Sequence, residues 1–173
     1  MINTLTLGNF PFAFNAPPLF CWPVFGRTCK YWLPLAFWMA VIFIASTHLG
    51  APNNTSWLIR PFLYFLDPHM SPEDFEKWHH LIRKCAHFTE YGILGAIAWR
   101  TFHYGAGLAA GNSARTFRLA ILFCALYACT DEFHQSFVPD RQPAVLDVII
   151  DTTGAACVLL LIWCVRRLRK VQS

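Results

Sequence analysis

The stretch AVLDVIIDTTGAACVLLLIWCV, residues 144–165, decides the fold. It reaches the roughly twenty residues of a membrane-spanning helix only when Asp147 and Asp151 are included. Ionised side chains are costly in hydrocarbon, so carboxylates inside an apolar run indicate a functional site. We therefore expect a spanning helix that carries acidic groups in its first turns.

The composition of the whole chain agrees with a membrane protein. Only 14% of its 173 residues are charged and 55% are hydrophobic, whereas soluble domains carry roughly 25% charged residues. The net charge of +4 does not indicate a nucleic-acid partner, because the basic residues flank apolar segments. The seven cysteines form no CxxC pair and lie mostly in apolar runs, where they serve as small hydrophobic residues.

Three further segments complete a predicted bundle of four spans. Segment one, about 32–47, is uncharged, and residues 144–165 form segment four. Segment two, about 81–102, and segment three, from about Arg118 to Asp131, have short apolar runs. Both reach spanning length only by drawing ionisable groups into the outer part of the bundle.

Lysine and arginine residues set the predicted orientation. Nine of the fourteen basic residues precede segment one, separate segments two and three, or follow segment four. Basic loops stay in the cytoplasm, so both termini are predicted to be cytoplasmic. All ten acidic residues lie in the other loops or in the helix halves beside them. The fold is thus predicted as all-α, a polytopic membrane bundle of four transmembrane helices, N-in and C-in, with its polar helix ends converging outside.

Two regions outside the spans have their own features. Ser71 is a good N-cap, and Pro72 and acidic residues follow it, which predicts an extra helix that continues into segment two or bends before it. The N-terminal residues are rich in proline, which argues against a helix. The predicted parts are an irregular segment 1–30, a membrane domain 31–165 and a basic cytoplasmic tail 166–173.

Polar side chains at the outer helix ends are the candidate site residues. Their types suit general acid–base chemistry, a divalent metal or an anionic head group, and the plainer alternative is a salt-bridge network that locks the helices. The catalytic candidates are Lys84, His87, Glu90, Asp131, Glu132 and His134. The binding candidates are Tyr91, Gln135, Arg141, Asp147 and Asp151. A divalent metal, if present, would take His87, Glu90, Asp131 and His134.

Three ordered motifs resemble those of the VanZ-like family: RKCAHFTEYGILG at 83–95, DEFHQSFVPDR at 131–141 and DVIIDTTGA at 147–155. Asp151 departs from the family pattern, which has asparagine at this position. The resemblance implies a multi-pass protein of the bacterial inner membrane with a role in the cell envelope. The family is associated with low-level teicoplanin resistance in glycopeptide-resistance clusters.

The residues leave several functions open, and whether the protein is an enzyme is one of the open questions. The first is a binding or accessory protein that holds an anionic lipid or an envelope precursor within the lipid bilayer. The second is a membrane-embedded hydrolase or transferase, with or without a metal, in which His87 or His134 moves protons while Lys84 and Arg141 hold a phosphate. A transporter is disfavoured, because four spans are few and the carboxylates lie at one end of the helices.

Overall fold

A computed structural model describes residues 22–47, 52–106, 113–138 and 144–172. These parts of the chain form α-helices and no strand, which confirms the predicted all-α class. The helices are α1 (Trp22–Ser46), α2 (Pro52–Leu66), α3 (Pro72–Arg100), α4 (Ser113–Gln135) and α5 (Val145–Val171). A wider π-helical turn, Thr101–Gly105, continues from the end of α3.

Helix α1 begins earlier than the sequence predicts. Residues 22–30 are helical, although the sequence assigned them to an irregular segment. Pro23 lies in the first turn of α1, where a backbone N–H has no partner within the helix and a proline is therefore tolerated. The irregular conformation predicted for 22–30 is thus wrong, and residues 1–21 lie outside the described parts of the chain.

Helix α3 unites the predicted extra helix with segment two. The Asp74 backbone N–H donates to Ser71 Oγ over 3.1 Å, and Pro72 occupies the first turn, as expected of a helix start. The helix then runs without a break for 29 residues. The first turns of α3 therefore project as one rigid rod beyond the predicted span.

Helix α2 packs on that projecting part of α3. Phe75 and His79 are buried there, and the Tyr64 ring stacks on Phe75 with 6.0 Å between centroids. Thr55 Oγ1 lies 3.1 Å from His79 Nε2. Burial lowers the pKa of His79, so the ring is neutral at pH 7. The α2–α3 contact is therefore a small core of its own next to the bundle.

Small residues let α3 and α5 cross closely. A Cβ on Gly154 would overlap the carbonyl oxygen of Phe88, and one on Gly95 would lie 3.2 Å from Ala155. Such small-residue contacts allow helix backbones to approach in membranes. The main core then fills around the crossing, with Leu35, Ile42, Tyr91, Leu94, Ala98, Trp99, Ala120, Cys124, Ala128, Ala155 and Leu159. The crossing places the first turns of α5, which carry Asp147 and Asp151, against the part of α3 that carries Lys84 and His87.

Two stretches of helix in the described chain are long and apolar enough to cross a membrane. They are Thr28–Ser46 of α1 and Val145–Val171, the whole of α5. Segments two and three form helices at the predicted places. Their ionisable residues make these helices less apolar than the two candidate spans. Two of the four predicted spans are thus candidates by length and composition alone.

Candidate functional site

The polar ends of α3, α4 and α5 meet in one group of side chains, which we call the outer cluster. Its members are His80, Arg83, Lys84, His87, Glu90, Asp131, Glu132, Gln135, Asp147 and Asp151. Its α3–α5 contact is an ion pair in which Lys84 Nζ lies 2.6 Å from Asp147 Oδ1. One turn further along, His87 Nδ1 lies 4.0 Å from Glu90 Oε2 and 4.0 Å from Asp151 Oδ1. Lys84 and His87 are i,i+3 on α3, and Asp147 and Asp151 are i,i+4 on α5, so each pair shares one helix face and the two faces meet.

Helix α4 supplies two acids and an amide to the outer cluster. Gln135 Nε2 donates to Asp131 Oδ2 over 3.1 Å and to Ser46 Oγ over 3.5 Å. The Ala144 backbone N–H donates to Glu132 Oε2 over 2.9 Å. Ala144 is the N-cap residue of α5, so Glu132 acts on the loop side of the cluster and anchors the start of that helix.

Three of the four acids that α4 and α5 contribute are deeply buried, and the fourth, Asp147, is about one-third exposed. Asp131 is 4% exposed, Glu132 7% and Asp151 1%. Neither oxygen of Asp151 accepts a hydrogen bond from the residues that the structure describes. Buried carboxyl groups are stable only when hydrogen-bonded, paired with a cation or protonated. Asp151 is therefore the acid of the outer cluster whose burial most requires a compensating interaction.

A small cavity of about 20 Å³ lies within the outer cluster. About one water molecule needs that much space, so the cavity has room for one water or one ion but not for a head group. Its walls come from all three helices. The lining residues are His80, Arg83, Lys84, His87, Glu132, Gln135, Asp147, Ile150 and Asp151.

Four of the described candidate residues do not line this cavity: Glu90, Tyr91, Asp131 and His134. The His134 ring stacks on Phe43 of α1, with 4.5 Å between centroids, and is outside the cavity lining. Tyr91 is fully buried in the bundle core. Arg141 lies outside the described residues, so its place relative to the cluster stays a prediction.

The grouping of possible metal ligands differs from the sequence prediction. One ligand atom each from His87, Asp131 and Asp151 lies within 4.8 Å of the other two. Among the described residues, neither Glu90 nor His134 belongs to such a group. Asp151 takes the place of Glu90 and His134 in this group because of the way that α3, α4 and α5 are rotated about their axes, which the sequence alone does not fix.

Three residues of the cavity lining, His80, Arg83 and Ile150, were not among the sequence candidates. Arg83 and His80 lie four residues before His87 and Lys84, so they share faces of α3 with them. Arg83 interacts electrostatically with Asp147 and Glu132, which line the same cavity. The i,i+4 spacing was the signal that could have identified Arg83 and His80.

The VanZ/LLP1 family profile matches residues 31–166. The chain belongs to the VanZ/LLP1 family. The match contains every described residue of the outer cluster, and family membership together with the two apolar helices indicates a membrane protein. No curated protein and no solved structure matches the chain.

Proposed function

We propose that this VanZ/LLP1 member is a multi-pass protein of the bacterial inner membrane with four spans and both termini in the cytoplasm. In addition to α1 and α5, α4 carries exposed leucines, with Leu122 56% and Leu126 59% exposed. Exposed apolar side chains on a bundle are unfavourable in water and favourable in lipid. This pattern supports α4, and with it α3, as spans.

The end of the bundle opposite the outer cluster has the character of a cytoplasmic interface. Arg166 lies over the Trp99 ring at 5.0 Å and Arg100 over the Tyr31 ring at 4.8 Å. Aromatic belts mark membrane interfaces and basic residues mark the cytoplasmic side. Both features at this end support an outer location for the polar cluster.

Helix α2 fits the outer interface in this arrangement. Trp57 is 72% exposed, Leu58 65% and Phe65 82%. Aromatic side chains favour the boundary between lipid and water, where an amphipathic helix lies flat. The α2–α3 unit is thus proposed to rest on the outer surface beside the cluster.

The proposed topology predicts the labelling of two single-cysteine variants in a background whose own cysteines are replaced by alanine. Ser136→Cys, at the outer end of α4, should react with a membrane-impermeant maleimide in intact cells. Gln172→Cys, after α5, should react only after the cells are permeabilised. Both side chains are exposed, so accessibility within the fold does not differ. The reverse pattern, or labelling of both in intact cells, would contradict the topology.

The function that the cluster supports best is binding of an anionic, phosphate-bearing lipid or envelope precursor at the outer face. Arg83 carries this proposal, because its guanidinium group lines the cavity beside Lys84, where it interacts electrostatically with Asp147 and Glu132. A guanidinium group binds phosphate oxygens in a bidentate manner. Since the cavity is too small for a phosphate, the head group is proposed to lie against it, at the Arg83 side.

A binding titration tests this function. Purified protein in phosphatidylcholine nanodiscs should bind dihexanoyl phosphatidic acid and not dihexanoyl phosphatidylcholine. Arg83→Gln should weaken binding about tenfold, because a charge-assisted hydrogen bond contributes roughly 1.5–3 kcal/mol.

Arg60→Gln is the matched control, since Arg60 lies over Phe75 at 5.3 Å, away from the cavity, and should bind like the wild type. Equal binding of the two probes, or unchanged affinity in Arg83→Gln, would overturn the proposal.

A membrane-embedded hydrolase or transferase is the second candidate function. The observation that favours it is His87, which lies 4.0 Å from each of two carboxylates, so that a carboxylate can orient the imidazole of a general base. Phosphate release from the phosphatidic acid probe, lost in His87→Ala with probe binding retained, would establish catalysis over binding alone.

A further inference from the structure

The inner part of the outer cluster brings together one half-buried and two buried groups that can ligate metals. His87 comes from α3, Asp131 from α4 and Asp151 from α5, with one ligand atom of each within 4.8 Å of the others. Three helices thus converge on one point, which makes the arrangement a property of the tertiary fold. Imidazole and carboxylate are both common ligands of divalent transition metals.

Asp151 provides a second and independent indication of a cation. Its side chain is 1% exposed and lines the cavity, and neither carboxylate oxygen accepts a hydrogen bond from the described residues. A carboxylate without water or donors is strongly unfavourable. A cation in the adjacent cavity would compensate it directly.

The charge balance of the outer cluster also calls for a cation. Its described residues include five carboxyl groups but only two side chains with a permanent positive charge, Arg83 and Lys84, beside the imidazoles of His80 and His87. Lys84 is already paired with one of the acids, Asp147, over 2.6 Å. Negative charge is therefore left over in the buried part, where solvent screens it least. The acids are Glu90, Asp131, Glu132, Asp147 and Asp151.

The surroundings of Asp131 resemble those of a metal ligand. Gln135 Nε2 donates to Asp131 Oδ2 over 3.1 Å and, with a 3.5 Å contact to Ser46 Oγ, is itself fixed by α1. Carboxylates that bind metals are usually oriented by such hydrogen bonds. Gln135 and Ser46 would therefore position a ligand rather than touch the ion.

We propose that His87, Asp131 and Asp151 bind one divalent transition-metal ion, Zn²⁺ or Mn²⁺, beside the cavity. Three protein ligands leave a coordination position open, and the 20 Å³ cavity offers room there for one water or one ligand oxygen. The ion also explains how an acidic cluster receives an anion: a head-group oxygen takes the open position while Arg83 holds the phosphate from the side. This last step rests on the proposed function.

Asp151 offers a substitution that tests the site with little change in side-chain size. An amide oxygen is a neutral, weaker metal ligand than a carboxylate. Asp151→Asn therefore removes one ligand charge without changing the volume of the side chain. The variant separates metal binding from packing.

The test is the metal content of the full-length protein after treatment with EDTA and reloading with Zn²⁺ or Mn²⁺ alone. The wild type should bind one ion per chain, and Asp151→Asn should bind about a hundredfold more weakly, since loss of a ligand's partner alone costs roughly 10–100-fold. Asp67→Asn, an acid-to-amide change at an exposed loop position, should bind like the wild type. Folded wild type that binds neither ion, or equal binding by Asp151→Asn, would overturn the site.

Titration of the metal-loaded and metal-free proteins with dihexanoyl phosphatidic acid separates this inference from the function. Tighter binding to the loaded protein supports both. A stoichiometric ion without probe binding keeps the metal site and overturns the function. Probe binding that depends on Arg83 in a protein that takes up neither ion keeps the function and overturns the metal site.

Discussion

Gly154→Ala is expected to destabilise the bundle by about 3 kcal/mol, the upper end of the usual cost of overpacking. The added Cβ would overlap the Phe88 carbonyl oxygen and lie 3.1 Å from Phe88 Cα. These are backbone atoms of α3, so no side chain can turn away to make room. The helices must separate, and the thermal midpoint Tm of the purified protein and its abundance in the membrane should both fall.

Gly26→Ala is the matched control for this substitution. A Cβ on Gly26 meets nothing within 4 Å, and alanine is the better helix former. This variant should therefore keep or slightly raise the Tm. Equal Tm values for the two variants would show that the α3–α5 crossing is not as close as described.

Lys84→Glu is expected to have the second-largest effect. The change replaces the ion pair with Asp147, only 2.6 Å long, by two facing carboxylates in an already acidic cluster. Removing one partner of a fully buried pair costs roughly 3–5 kcal/mol. This pair is about one-third exposed, so a loss of about 2 kcal/mol in the free energy of unfolding is expected. Denaturant unfolding of the reconstituted protein measures it.

Two further variants test the origin of that loss. Lys77→Glu breaks a pair with Asp74 whose side chains are 72% and 54% exposed, and such solvent-screened pairs contribute little to stability. The double exchange Lys84→Asp with Asp147→Lys restores opposite charges and should recover part of the stability. A loss in Lys84→Glu no larger than in Lys77→Glu, or no recovery in the exchange, would contradict a structural role for the pair.

The helices and the meeting of their polar ends were accessible from sequence, because both follow from one-dimensional patterns. Apolar runs predicted the places of α1, α4 and α5, and Ser71 with Pro72 predicted the start of α3. The acidic residues lie only in alternate loops or in the helix halves beside them. This pattern predicted that the polar ends of three helices lie on the same side of the membrane. The helical residues 22–30 were missed, since proline argues against a helix in general but not in its first turn.

The composition of the site within the outer cluster could not be predicted in the same way. Whether Glu90 or Asp151 lies next to His87 and Asp131 depends on how α3 and α5 are rotated about their crossing. Contact between Gly154 and the Phe88 backbone fixes that rotation, and no spacing rule reveals it. The number of spans is likewise hidden, because ionisable residues lower the hydropathy of α3 and α4 whether or not those helices lie in lipid.

Photo-cross-linking from α5 in living cells tests most directly whether the outer cluster holds a phosphate-bearing lipid. A benzoylphenylalanine at Ile150, which lines the cavity, is compared with one at Leu160, which is 60% exposed further along the helix. Mass spectrometry of the adducts should show one phosphate-bearing lipid or precursor strongly enriched at position 150, and the general membrane lipids at position 160. The same lipid composition at both positions would contradict the account.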